Sequence, residues 1–405
     1  MTTFAIELTR RQALAGIGAT SALALTGCRT TPAPAAAGPD QWLETVGYNL
    51  LAHEPERATG LGVDVGPYAG LRGKLEDQSI AGQLAYAATL RRDLDATRAF
   101  PRAGLTADQL TSFEVVESAY STALDGFALP YGDVAVGSWR NSPYVVIQNV
   151  GTYLDMPRFM DSTHPLNDTA DAEAYLARLQ ALPAALDGEL ERMRAARAMG
   201  MVPPDFLLDK AMRQMRATIA DAAGGGSLVK PLADKAAADA AWVAFNARAE
   251  MLVRGPVRAA LVRQMAELQA ERAVADSDPG MWSQPRGDEW YAWGLRATTT
   301  TRMTPDEVHQ QGLEELASLH ARMDPILKEI GYTTGSVGAR MQALSDDPRY
   351  KFAEGDPGRA EIMAFIDDRI AWIRAQMPRA FNTLVDPNLE VRRLPPAEVL
   401  INTPH

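Results

Sequence analysis

Residues 171–199 set the first constraint. Tyr175, Leu176, Leu179, Leu182, Leu186, Leu190 and Met193 return mostly at intervals of three and four, so one apolar stripe runs along a long segment. That period belongs to an α-helix, and a helix striped in this way must be covered by neighbours. The same spacing appears in 41–52, where Trp42, Val46, Leu50 and Leu51 carry it, and again around 79–97 and 106–124. It continues through 204–223, 232–275, 305–330 and 358–377. Alternation of the strand type is scarce, with "YVVIQNV" at 144–150 the best short candidate. The expected class is mainly α, with few or no strands.

Local signals refine the boundaries. Thr106-Ala-Asp-Gln109 has the form of a capping box, in which the Thr hydroxyl and the Gln amide satisfy each other's backbone N–H groups. Thr304-Pro305-Asp306-Glu307 is sharper still: a Thr cap, a Pro at the first helical position and a Glu at the third. It predicts a helix that runs to Ile330 and stops at Gly331. Pro183 should kink or divide the long helix, "GGGS" at 224–227 should end the one before it, and Gly255-Pro256 should separate two helices within 232–275. Pro378 marks a further break.

The first 28 residues follow different rules. Arg10 and Arg11 form a positive patch, a weakly apolar run covers 13–25, and small residues precede Cys28, the chain's one cysteine. The order is that of a secretory signal, and the run is too short to span a membrane. The arginine pair resembles a twin-arginine export signal, and Leu25-Thr26-Gly27-Cys28 resembles a bacterial lipobox. The lipobox resemblance implies cleavage before Cys28 and lipid attached to its sulfur. "RTTPAPAAAGP" at 29–39 then reads as a semi-extended tether. The expected organisation is a signal over 1–28, a tether over 29–40 and a helical domain over 41–405. The expected location is the cell envelope, lipid-anchored and facing the periplasm.

A net charge of −11 argues against nucleic acid as the main partner. A chain 46% hydrophobic and 22% charged is globular rather than disordered.

The search for chemistry returns little. The five histidines are His53, His164, His309, His320 and His405. "HEPER" at 53–57 begins like a zinc-binding H-E-x-x-H, but Arg57 stands where the second imidazole is needed, and Pro55 opposes an ordinary helix. His309 and His320 share a helix, yet eleven residues separate them by about 16 Å along its axis, too far to ligate one ion. Both fall in the sector of Leu313, Leu316, Met323 and Leu327, which reads as a packed face. Ser227-Leu-Val-Lys230 matches S-x-x-K of penicillin-recognising enzymes, but glycines precede it and Pro231 follows, which opposes the helical turn that motif requires. "GLGVDVG" at 60–66 lacks the third glycine of a dinucleotide fingerprint. Adjacent acids such as Glu314-Glu315 diverge on a helix and read as solvated faces.

The most informative stretch is "GMWSQPRGDEWYAWGLRATTTTRMTPDEVHQQGLEEL", residues 280–316. Its Gly-x-Trp, Pro-x-Gly, Trp-Tyr, Leu-Arg, threonine run and Thr-Pro-x-Glu-Val-His block resemble a bacterial envelope family, domain of unknown function 885 (DUF885). Residues 142–179, "DDRIAWIRAQMPRAF" and "VRRLPPAEV" resemble further blocks, so the likeness spans roughly 41–399. It implies a helical scaffold like the N-terminal part of a zincin-type peptidase. Longer members continue to an H-E-x-x-x-G-H-H-like element, whose implied chemistry is a zinc-bound water attacking a peptide carbonyl. Here the likeness ends after Val399 and the sequence reads "LINTPH", so no catalytic or metal-ligating residue carries over and no cofactor is expected in this chain. The resemblance places Trp290, Tyr291, Arg296 and His309 near the cleft of a complete fold. Two readings follow: a peptidase-like lipoprotein inactive as written, C-terminally incomplete, or a non-catalytic envelope binding or assembly module on the same scaffold.

Overall fold

The computed structural model describes residues 38–137, 140–384, 389 and 391. Arg10, Arg11, Cys28, most of the tether and His405 lie outside them. The described chain is helical, and its β pairing among those residues is limited to two isolated bridges, Asp133 with Ser142 and Ile147 with Val150. The stretch 144–150 therefore forms no strand. Asn149 adopts a left-handed φ of 65°, which folds Ile147 back onto Val150 in a tight turn.

The first three substantial helices are α1 (Pro39–Leu51), the short α2 (Pro55–Gly60) and α3 (Ile80–Ala99). With α4 (Ala107–Phe127) they enclose one core of Trp42, Val46, Tyr86, Leu90, Leu94, Phe113 and Tyr120. The capping box of α4 forms as its sequence predicts, with Thr106 and Gln109 exchanging both bonds. Pro55 does not prevent a helix; it opens α2 at its first position, where a missing N–H costs nothing.

A larger core lies between α5 (Thr152–Ser162), α6 (Thr169–Ala198), α7 (Asp205–Ala223), α8 (Gly226–Ala238), α9 (Val243–Leu252) and α10 (Arg258–Arg272). The stripe read from the sequence is buried here: Tyr175, Leu179, Leu182 and Leu186 are each at most 2% exposed. Each such side chain contributes roughly 2 kcal/mol of burial. Asp168 caps α6 by accepting from the Asp171 N–H at 2.9 Å. Pro183 neither ends nor divides α6, which runs unbroken for 30 residues. Leu179, Leu182 and Leu186, on either side of the proline, are held in the core, and this packing outweighs the one helical hydrogen bond that the proline removes.

Two further expectations are corrected. The glycines at 224–226 end α7 but also launch α8. Gly225 and Gly226 take φ of 91° and 47°, and a Cβ on Gly226 would lie 2.2 Å from the Asp221 carboxylate. Ser227 and Lys230 thus do share a helix, with Pro231 inside it. The Ser227 hydroxyl donates to Asp221 at 2.6 Å, while Lys230 pairs with Asp234, so the two are committed elsewhere. Gly255-Pro256 does not separate two helices either. Val253–Val257 forms a π-turn that joins α9 to α10, absorbing the proline by one wider turn.

Beyond this body come α11 (Gly287–Thr299), α12 (Pro305–Glu329), α13 (Val337–Asp346) and α14 (Gly355–Gln376). The α12 capping box forms, and Gly331 ends the helix with φ 98°. The expected packed face of α12 is absent among the described residues. Leu313, Leu316 and Leu319 are 45–49% exposed, His309 is exposed, and Leu327 is the buried member. No helix of the described residues is long and apolar enough to cross a membrane.

Candidate functional site

The aromatic stretch of α11 meets α4 and the loop 129–144. Trp290 and Trp293, three residues apart, point the same way and pack edge to face, with ring centroids 5.4 Å apart. The Trp293 indole N–H donates to the Thr122 carbonyl at 2.8 Å, and its ring lies over Gly126. A Cβ on Gly126 would stand 2.2 Å from that ring. Gly126→Ala should therefore displace α11 and lower unfolding free energy by about 2 kcal/mol in a urea titration, with quenching or shift of tryptophan fluorescence. The Trp290 ring nitrogen approaches Gly132 in the same way, and the Tyr131 hydroxyl donates to the Pro285 carbonyl at 2.6 Å.

The four residues expected near a cleft are divided. Trp290 is buried in this cluster. Arg296 pairs with Asp125 of α4 at 2.7 Å on the surface, Tyr291 is 49% exposed, and His309 stands exposed one turn into α12. They do not converge on one point.

A polar crevice adjoins the buried tryptophans, and sequence reasoning missed it. Arg192 of α6 donates to the Gly132 carbonyl at 2.8 Å, to the Asp133 carboxylate at 2.6 Å and to Gln78 at 3.1 Å. Glu76 lies nearby on the loop before α3. Burial first, then the charges of Asp133, Glu56 and Glu54, push its carboxyl well above the usual range, against the pull of Arg192. Glu56 accepts from the Glu76 N–H at 3.2 Å, and burial also raises its carboxyl. Glu54 accepts from the Tyr86 hydroxyl at 2.5 Å and from Arg57 at 2.8 Å. These carboxyls come from four separate stretches, so no spacing in the sequence announces them. Such a crevice can hold a proton near neutral pH and can receive a cationic or amine group.

A second buried network centres on Arg178 of α6. Its guanidinium donates to the Lys74 carbonyl at 2.9 Å, to Thr59 at 2.8 Å, and to Nδ1 of His164 at 2.7 Å. His164 therefore accepts at Nδ1 and donates from Nε2 to the Asp171 carbonyl at 3.2 Å. Burial holds its imidazole down at about 4. Arg72 bridges Asp64 and Asp171 beside it. An open depression of about 400 Å³, lined in part by His164, Asp161, Asp234 and Lys235, lies over this network.

The residues present do not fit a zinc site. His53 hydrogen-bonds Thr89 at 2.9 Å and stacks on Tyr86, and both nitrogens of His164 are engaged. His309 and His320 are eleven residues apart on α12. Among the described residues, no group of three or more His, Cys, Asp or Glu is placed to hold a metal ion.

Comparison with known proteins assigns the whole arrangement to a family. A candidate lipoprotein of Colwellia psychrerythraea, known from its crystal structure, superposes with a TM-score of 0.78 at 22% identity, over 91% of this chain and 64% of its own. A candidate lipoprotein of unknown function from Shewanella oneidensis matches with a TM-score of 0.52 at 17% identity, over 89% of this chain and 61% of its own. At these identities the likeness is one of fold, and the chain spans less than two thirds of the length of either structure. Among proteins of curated function, none matches. The profile of DUF885, described as bacterial protein of unknown function, matches residues 55–400, and the chain belongs to that family.

Proposed function

We propose that this chain is a lipid-anchored protein of the bacterial cell envelope, built on the scaffold of a peptidase-like fold and without turnover of its own. The observation that carries the reading is the use of its histidines. His53 and His164 serve as hydrogen-bonded packing groups, and His309 and His320 stand about 16 Å apart along one helix. A zinc-bound water would need three such ligands around one point. The envelope location is supported by the lipobox-like Leu25-Thr26-Gly27-Cys28 and by the candidate lipoproteins that share the fold. The twin-arginine route rests on Arg10 and Arg11 alone.

Two measurements test this. After dialysis against zinc, the purified chain should hold far less than one ion per molecule and should not hydrolyse a mixed peptide library. Zinc at unit stoichiometry, bound by its own side chains and required for hydrolysis, would sink the proposal. In cells, Cys28→Ser should release the protein from the membrane fraction into the soluble periplasm and abolish labelling by a fatty-acid probe. Unchanged membrane association of that variant would count against the anchor.

A second reading, an envelope binding or assembly module, is favoured by the open apolar faces of α12 and α14. It requires a cooperative thermal transition and a specific partner. A broad melt with strong dye binding would speak for an incomplete domain instead.

A further inference from the structure

α12 and α14 carry apolar stripes that nothing in the described chain covers. On α12, Leu313, Leu316, Leu319, Ile326 and Ile330 are 41–58% exposed, at steps of three, three, seven and four residues. On α14, Phe365, Trp372 and Ile373 are 49–59% exposed, again at helical steps. Side chains so regularly placed along two helices of 25 and 22 residues make more than scattered surface leucines. Elsewhere the same sequence buries its stripes, as on α6, so the pattern on α12 and α14 has the form of a face meant for helical packing.

The relatives supply the occupant. Two solved structures share this fold over about nine tenths of the present chain, yet about two fifths of each of their chains has no counterpart here. We infer that the α12–α14 face is the seat of that additional polypeptide, and that in this family the extra segment packs across both helices to complete the domain. The inference rests on the scaffold reading above, but its test is separate from zinc binding or hydrolysis, so either can fail alone.

The direct measurement is on the Colwellia structure. The side chains that superpose on Leu316, Ile326, Phe365 and Trp372 should be largely buried in the whole chain and become exposed when the unmatched residues are removed. Equivalents that are solvent-exposed in the whole chain, or covered by the matched portion, overturn the inference. On the present protein, the full chain should bind an apolar dye at this face. A Leu316→Glu, Trp372→Glu double variant should lose at least half of the dye signal with its far-ultraviolet circular dichroism unchanged, and an unchanged dye signal counts against an open face. A discrete dimer with α12 and α14 protected from hydrogen exchange would assign the face to a second copy. Binding to phosphatidylethanolamine/phosphatidylglycerol vesicles that the double variant loses would assign it to a membrane. Either result overturns the inference.

Discussion

Replacing Arg178 with methionine is expected to lower the unfolding free energy by about 4 kcal/mol, the largest loss from any single polar side chain in the larger core. The guanidinium is fully buried. Its removal leaves the Lys74 carbonyl, the Thr59 hydroxyl and Nδ1 of His164 without their donor, and the longer contacts to Pro55 and Leu71 are lost with it. Burial already draws the Arg178 pKa down to about 10, opposed by Glu56 and Asp64, which shows how little solvent reaches it. The hub joins α2, the loop 71–74 and α6, so its loss should loosen the N-terminal helices from the main body. Urea titration measures the change. Arg178→Lys should recover little, because one ammonium cannot reach donors' targets set around a planar fork. A variant within 1 kcal/mol of the parent would show that the network is peripheral to stability.

The network also marks where the sequence stops being readable. Helix positions followed from local chemistry: Thr106 and Thr304 each announced a cap, and the α6 stripe announced a buried helix, because those signals depend on residues within one or two turns. Pro183, Pro231 and Pro256 misled for one reason. Proline opposes a helix locally, but buried neighbours such as Leu182, Leu228 and Val257 hold the chain helical across the lost bond, and at Pro256 a π-turn makes room. The tryptophans of α11 were visible as a motif, but a sequence does not say whether such a ring faces a cleft or a glycine on the next helix. Glu76, Asp133 and Arg192 come together only through the tertiary fold. The stripe on α12 was legible as an amphipathic face, and its missing neighbour was not, since periodicity records that a face is apolar and not what covers it.

The second large effect is a dependence on pH. Glu271 of α10 is 3% exposed, and one of its carboxylate oxygens is buried without a hydrogen-bond partner among the described residues. Burial, together with the neighbouring Glu267, raises its pKa to about 8, against the opposing pull of Arg197. Arg197 and Arg194 of α6 are engaged by Glu267, at 2.5 and 3.2 Å, so Glu271 receives only their residual field. Glu189 is likewise raised to about 7, by burial, although Thr152 and Gln264 donate to it. In the unfolded chain both carboxyls titrate near 4.5. The folded state therefore holds more protons than the unfolded one between pH 4.5 and about 8, and stability must fall as pH rises through that window. Below pH 4.5 neither group opposes folding. Above pH 8 a charged Glu271 costs about 4 kcal/mol. Glu271→Gln removes that titration, so the variant should match the parent near pH 5 and exceed it by about 3 kcal/mol near pH 9. The difference should open progressively across pH 6–8 in urea titrations at fixed ionic strength. Stability curves that stay parallel from pH 5 to pH 9 would mean that Glu271 is ionised in the folded protein, with a compensating cation reaching it from α6.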